Sequence, residues 1–125
     1  YKTARKKGIK PILGCEIYVP VGNHTVKKQI VTSTGKKWGY NHLVLLVQNE
    51  IGYKNLMKLV SIGYLEGFYY RPRVDKDLLQ KYNEGLICTS GCLAGEINQF
   101  AAQNDYEKPK RLPLNMPKFF LIDFI

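Results

Sequence analysis

The sequence predicts an α/β fold, and three observations lead to that prediction. Short β-prone apolar runs occur at 10–19, 41–47 and 85–89. Between the second and third runs, apolar residues recur three and four positions apart, which is the spacing of a helix that buries one face. Asn, Asp and Gly stand at the boundaries of these segments, where helices and turns begin and end. Strand, helix and strand patterns therefore alternate along the chain, as in α/β proteins.

Composition limits the classes of protein to which the chain can belong. Its 125 residues, 45% of them hydrophobic, are enough for the core of one small domain. No run of about 18 apolar residues and no signal-peptide pattern occurs, so we expect neither membrane insertion nor secretion. The three cysteines have no regular spacing, which fits a reducing compartment and predicts a cytoplasmic protein.

The formal net charge of +9 is concentrated at the two ends of the chain. Residues 1–41 carry nine Lys or Arg against one acidic residue, and residues 108–125 carry four against one. The central residues 42–107 are slightly acidic, with six basic residues against eight acidic ones. A basic surface favours an acidic partner such as nucleic acid, but only the ends of this chain provide one.

The first two segments are typical of a helix end and a strand. Residues 1–8 have a basic last turn and finish at Gly8, so we expect the end of a helix and a chain that is part of a longer protein. In the strand at 10–19, odd-numbered residues such as Ile17 face one way and Glu16 faces the other. Burying an unpaired carboxylate is costly, so Glu16 should be exposed, paired with a cation or bound to a metal.

A basic loop follows, from 20 to 41, with four lysines and two aromatic residues. Lys36, Lys37 and Trp38 suit contacts with a phosphate backbone and stacking on bases. The alternative is a solvated hairpin whose lysines only keep it soluble. We expect His24 to lie on the surface.

Two helices are predicted after the apolar run at 41–47, which has the composition of a buried strand. Asn49 caps the first helix, in which five residues form one stripe that should face the core: Tyr53, Leu56, Met57, Val60 and Tyr64. Asp75 caps a second, shorter helix that ends before Gly85, with three residues facing inward: Leu78, Leu79 and Tyr82.

The loop at 65–73, between the two helices, is rich in aromatic residues and arginine. We expect Phe68 and Tyr69 to pack against the next layer. Tyr70 and Arg71 are candidate nucleic-acid contacts, because an aromatic ring and a cation can hold a base and a phosphate.

Cys92 lies where the β-prone run at 85–89 gives way to a helical pattern. Ser90 or Gly91 can cap that helix, which places Cys92 in its first turn. The helix dipole there lowers the pKa of a thiol and favours the thiolate, the form that binds metal or attacks an electrophile. A small buried apolar residue at a tight turn is the alternative interpretation.

Several motifs, in this order and close to this spacing, resemble the PHP (polymerase and histidinol phosphatase) domain of the alpha subunit of bacterial replicative DNA polymerase III, a C-family polymerase. The similarity covers residues 1–107. It rests on Gly14-Cys15-Glu16 before a β run, His42-Leu43-Val44-Leu45-Leu46, Gly52-Tyr53-Lys54-Asn55-Leu56, Leu65-Glu66-Gly67-Phe68-Tyr69-Tyr70 and Ser90-Gly91-Cys92-Leu93-Ala94-Gly95-Glu96-Ile97.

The resemblance implies a distorted (β/α)7 barrel, of which this chain holds only the middle portion. It also implies a cluster of up to three metal ions, commonly zinc or manganese, with Glu16, His42 and Cys92 at ligand positions. In many bacteria this domain resembles a 3′–5′ exonuclease. DNA and the other subunits of the replicative polymerase holoenzyme are the implied partners. The magnesium-dependent polymerase site would lie in another domain, and the fragment alone would be inactive.

The sequence leaves three questions open. If the strands that carry Glu16 and His42 were parallel, the two residues would lie at opposite edges of a sheet, so either the strands are antiparallel or one residue is not a ligand. A non-catalytic PHP scaffold that docks a proofreading subunit, a stand-alone phosphoesterase and a plain nucleic-acid-binding fragment remain alternative functions. After Glu107, three prolines interrupt the helical pattern, so residues 108–125 are predicted to be a divergent tail from a shifted reading frame or an artificial junction.

Overall fold

The computed structural model describes residues 1–28, 39–89 and 95–102. The predicted contacts at Lys36, Lys37 and Trp38, the predicted ligand Cys92 and the tail at 108–125 lie outside the described residues. The elements, in chain order, are α1 (Lys2–Lys6), β1 (Gly14–Pro20), β2 (Tyr40–Val47), α2 (Glu50–Leu65), α3 (Lys76–Lys81), β3 (Leu86–Thr89) and α4 (Glu96–Ala101).

Helix α1 ends as its sequence predicts. Gly8 has a φ of +73°, the left-handed conformation that glycine adopts without a steric penalty. Its N–H donates to Arg5 O at 3.0 Å, and the Ile9 N–H donates to Ala4 O at 3.0 Å. These two bonds form a Schellman motif, which satisfies carbonyls at the helix end.

The three strands form one antiparallel sheet in the order β1-β2-β3. In the β1–β2 register, Glu16 is opposite Val44 and Tyr18 is opposite His42. The antiparallel pairing answers one of the questions that the sequence left open, because it places Glu16 and His42 diagonally across two adjacent strands on the same face. The mixed α/β content agrees with the predicted class.

The core lies on one face of the sheet, beneath α2. The predicted alternation of β1 is confirmed, since Ile17 and Val19 are buried there. In β2, however, only Asn41 and Leu45 are buried, so the prediction of a fully buried strand is wrong. The reason is that α2 covers one face of β2 and the other face carries half-buried residues. Among the residues that the structure describes, the hydrophobic core cluster consists of Ile17, Val19, Leu45, Leu56, Leu59, Val74, Leu79, Leu86 and Cys88.

Helix α2 begins as predicted but packs with a different face. The Gly52 N–H donates to Asn49 Oδ1 at 3.0 Å, which confirms the cap. Leu56 is buried and Val60 packs against the core, but three residues of the predicted core stripe are exposed: Tyr53, Met57 and Tyr64. The buried face instead contains Gly52, Leu56, Leu59 and Gly63.

Glycine is the reason for this rotation. A Cβ atom at Gly52 would lie 1.8 Å from Gly85 O, so only glycine permits the helix to approach this turn. The contact therefore turns α2 by about one residue relative to the stripe of large apolar side chains.

Helix α3 and its surroundings agree with the sequence. The Leu78 N–H donates to Asp75 Oδ1 at 3.0 Å, which confirms the predicted cap. Leu79 is fully buried, and Leu78 and Tyr82 pack against the core.

None of the helices in the described ranges combines the length and the hydropathy that a membrane span requires.

Candidate metal and nucleic-acid site

Glu16 and His42 form a carboxylate–imidazole pair on the sheet face opposite the core. Glu16 Oε1 lies 2.7 Å from His42 Nδ1, and the two side chains are 47% and 26% exposed. Of the alternatives that the sequence left open for Glu16, the structure shows an accessible carboxylate paired with a ring. A carboxylate that holds one ring nitrogen fixes the orientation of the imidazole, an arrangement common around metal-binding histidines.

Two tyrosines pack around the His42 ring. The Tyr18 ring lies edge-on to it at 5.1 Å, and the Tyr40 ring stacks beside it at 6.1 Å with an interplanar angle of 19°. The two tyrosine rings meet each other at 5.0 Å. No sequence motif points to Tyr18 as a site residue, although strand alternation places it on the same face as Glu16, two residues away. These rings restrict the conformations that His42 can adopt.

The predicted contacts Tyr70 and Arg71 lie in a tight turn next to these rings. The Tyr69 N–H donates to Arg71 O at 3.1 Å, which leaves Tyr70 at the tip of the turn with a φ of +59°. The Arg71 guanidinium lies 5.9 Å from the centre of the Tyr18 ring. The structure therefore brings Arg71 close to the Glu16–His42 pair through Tyr18. The prediction of packing is confirmed for Tyr69, which is half-buried. It is wrong for Phe68, which is exposed and stacks on Tyr64.

His24 is buried, so the prediction of a surface histidine is wrong. It is 8% exposed, and its Nδ1 lies 2.5 Å from Asp75 Oδ2. The His24 N–H also donates to Asp75 Oδ2 at 3.1 Å. Because His24 and Asp75 are 51 residues apart in the chain, no local pattern could have indicated the contact.

Arg73 completes this buried polar cluster. It is 3% exposed, and its Nη2 donates to His24 O and Val26 O at 2.9 and 3.0 Å. Burial alone would raise the pKa of Asp75. The hydrogen bonds from His24 and from the Leu78 N–H together lower it by more than burial raises it, so the pKa lies below its ordinary value. The cluster fastens the segment after β1 to the loop before α3.

The two described cysteines are poor candidates for a reactive thiolate. Burial raises the pKa of Cys88 to about 12. Burial, together with the neighbouring Glu16 carboxylate, also raises the pKa of Cys15. Both thiols are therefore protonated at neutral pH, and protonated thiols are neither good metal ligands nor good nucleophiles.

Within the part of the chain that the structure describes, no three His, Cys, Asp or Glu residues are close enough to hold a metal ion together. Glu16 and His42 nevertheless fit a metal site, because a carboxylate and an imidazole are two ligand types that zinc and manganese accept. A third donor would have to come from elsewhere, and the predicted ligand Cys92 lies outside the described residues.

Comparison with known proteins gives the class of the chain. The family model described as the PHP domain matches residues 1–123, so the chain belongs to the PHP domain family. Its relatives are DNA polymerase III alpha subunits. The subunit of Borreliella burgdorferi is 54% identical over 124 residues, and the alignment covers 99% of this chain and 10% of that protein.

Two further relatives with the same name support the assignment. The protein of Chlamydia pneumoniae is 45% identical over 119 residues, which covers 95% of this chain and 9% of the relative. The protein of Campylobacter jejuni is 41% identical over 135 residues, and the alignment covers 99% of this chain and 11% of that protein. The chain thus spans about a tenth of the length of these relatives. The predicted boundary at Glu107 stays a prediction, and the family model extends past it.

Proposed function

We propose that the chain is part of the PHP domain of a bacterial DNA polymerase III alpha subunit and contributes to a metal site that acts on phosphodiesters, as a 3′–5′ exonuclease would. The observation that carries this proposal is the 2.7 Å contact between Glu16 and His42 on an accessible sheet face. The predicted ligand set is Glu16, His42 and Cys92, which suits zinc or manganese. A bound divalent metal would supply hydroxide near neutral pH and neutralise the charge of the phosphodiester.

The residues of the chain would hold and orient the site. Glu16 would orient the His42 ring through Oε1 and leave its other oxygen, Oε2, for the metal. The rings of Tyr18 and Tyr40 restrict the movement of His42. Arg71, on the exposed side of Tyr18, would contact a phosphate group of DNA. The remaining proposed nucleic-acid contacts are Lys36, Lys37, Trp38 and Tyr70.

The wider context is also a proposal. The three-stranded sheet would be one section of a distorted (β/α)7 barrel, and the parent protein would be a cytoplasmic DNA-directed DNA polymerase with a magnesium-dependent site in another domain. DNA and the other holoenzyme subunits would be its partners. A non-catalytic scaffold is the second candidate, because Glu16 and His42 contact each other directly at 2.7 Å and can satisfy each other without a metal.

Metal binding tests the proposal. We expect Zn²⁺ titration of the chain, followed by calorimetry, to give affinities that are about 10- to 100-fold weaker for Glu16→Gln and His42→Gln than for the unchanged protein. The matched control is Glu50→Gln, which alters an exposed carboxylate that pairs with Lys54 on α2. Equal affinities for the two site variants and the control would contradict the proposed metal site.

The isolated chain should not hydrolyse DNA. Its predicted ligands number three, and the resemblance implies that a complete PHP site draws on further ligands from elsewhere in the domain. We expect no release of mononucleotides from single-stranded DNA in the presence of Zn²⁺ or Mn²⁺. Chelator-sensitive release that disappears in Cys92→Ala would show that this expectation is wrong.

A further inference from the structure

Tyr70 combines backbone strain with exposure. Among residues 1–28, 39–89 and 95–102, it is the one non-glycine residue with a positive φ, at +59°. The left-handed conformation is unfavourable for a side chain of this size. Tyr70 is nevertheless 60% exposed, so burial of its ring in the core does not compensate for the strain. Strain of this kind persists where the surroundings enforce it, and it is frequent at functional sites.

The surroundings of Tyr70 enforce its position from one side. The bond from the Tyr69 N–H to Arg71 O, at 3.1 Å, closes the turn. The Tyr69 ring meets the Tyr70 ring edge-on at 4.7 Å, with an interplanar angle of 72°. The exposed ring is therefore held by its neighbour in the turn.

This turn is also anchored to the buried polar cluster of His24, Asp75 and Arg73. The Arg73 guanidinium lies 5.2 Å from the Tyr69 ring, on the inner side of the turn. Arg73 itself is fixed by three carbonyl acceptors at 2.9–3.0 Å: Gly67 O, His24 O and Val26 O. A rigid support of this kind fixes an exposed aromatic ring before a ligand arrives, which reduces the entropy lost on binding.

The turn also has a suitable location and charge. Arg71 follows Tyr70 directly and is exposed, and it reaches the Tyr18 ring that packs against His42. An aromatic face beside a cation suits one nucleotide, with the base on the ring and the phosphate on the guanidinium. In the interior of a duplex both faces of a base are covered by neighbouring pairs, so away from duplex ends the ring can receive only a base of a single strand.

We propose that Tyr70 stacks on an unpaired base of single-stranded DNA while Arg71 contacts the adjacent phosphate. This inference rests on the proposed nucleic-acid role of the domain and adds the separate roles of two residues, with the base on the Tyr70 ring and the phosphate on Arg71. The strained turn holds the ring at that position. A protein partner at this turn is the competing occupant, and binding of a single-stranded oligonucleotide separates the two.

The test measures binding of a fluorescently labelled single-stranded oligonucleotide by anisotropy in EDTA at low salt. We expect Tyr70→Asn to bind about ten-fold more weakly, because asparagine tolerates the left-handed conformation but has no ring. Tyr70→Phe should bind within about two-fold of the unchanged protein, since it keeps the aromatic face. Tyr64→Asn is the matched control, because Tyr64 is 59% exposed at the end of α2 and its loss should leave the affinity for the oligonucleotide unchanged.

Two further probes identify the ligand. An oligonucleotide with abasic positions should bind the unchanged protein about ten-fold more weakly than the intact strand does. Tyr70→Asn should bind the abasic and the intact strand equally. A duplex of equal length should bind the unchanged protein more weakly than the single strand does. Arg71→Gln should reduce the salt dependence of binding, whereas Tyr70→Asn should not.

The proposal is overturned if the unchanged protein does not bind the single strand, if Tyr70→Asn binds as tightly as the unchanged protein, or if the abasic strand binds equally well. Because EDTA is present throughout, these results are independent of the metal site. Loss of Zn²⁺ binding with intact stacking would contradict only the proposed metal function.

Discussion

Asp75→Ala should destabilise the protein by about 3 kcal/mol, because it removes three hydrogen bonds and leaves a buried histidine without its partner. The carboxylate accepts from the Leu78 N–H at 3.0 Å through Oδ1 and from the His24 backbone N–H at 3.1 Å through Oδ2. The same Oδ2 lies 2.5 Å from the His24 ring. Urea unfolding followed by circular dichroism measures the loss.

The control is Asp77→Ala, an exposed carboxylate in the first turn of the same helix. It should cost no more than about 1 kcal/mol, the usual interaction of one exposed charge with a helix terminus. Asp75→Asn should fall between the two variants, since it keeps a capping oxygen and loses the charge. If Asp75→Ala and Asp77→Ala cost the same, the buried cluster does not fasten the two loops.

The contact between Asp75 and His24 makes the stability of the protein depend on pH. The pKa of Asp75 is lowered in the folded state, so the folded protein binds this proton less readily than the unfolded chain does. The stabilisation from Asp75 is therefore fully present above the unfolded pKa, about 4, and is lost as the pH falls through the folded pKa. The Asp75→Asn variant should lack this acid-dependent loss.

The second large effect is expected at Gly52. In Gly52→Ala the new methyl group would lie 1.8 Å from Gly85 O and 2.4 Å from Gly85 C, both backbone atoms that cannot rotate away. Helix α2 must move off the turn, and we expect a loss of about 3 kcal/mol or more. The midpoint of urea unfolding measures this loss.

Gly63→Ala is a close control, because Gly63 is also buried in α2. Its nearest neighbour would be Val74 Cγ1 at 3.5 Å, an ordinary contact distance. Since alanine favours helix over glycine, we expect this variant to be unchanged or stabilised by about 0.5–1 kcal/mol. Equal destabilisation by both substitutions would show that the Gly52–Gly85 contact does not set the orientation of α2.

These residues show which parts of the fold the sequence could predict. The caps at Asn49 and Asp75 are local, because a side chain and an N–H three positions later decide them, and both were predicted. The strand positions follow from short apolar patterns. The buried face of α2 could not be predicted, since it depends on the approach of Gly52 to Gly85, and these two residues are far apart in the chain.

The candidate site shows the same division. The residues alone left exposure, an ion pair or a metal role open for Glu16, and the direction of the neighbouring strand decided which partner it meets. The burial of His24 could not be predicted, because its partner Asp75 is remote in sequence and the role of Asp75 as a helix cap accounts for that aspartate without His24. Long-range contacts of buried polar groups carry no local sequence signal.

The most direct test of the central claim is anomalous X-ray diffraction at the zinc edge, with crystals of the protein grown in Zn²⁺. The account predicts an anomalous peak within bonding distance of the His42 imidazole and the Glu16 carboxylate. The peak should be absent from crystals of His42→Gln. A fully occupied zinc peak elsewhere, with the Glu16–His42 pair unchanged at 2.7 Å and no metal beside it, would contradict the account.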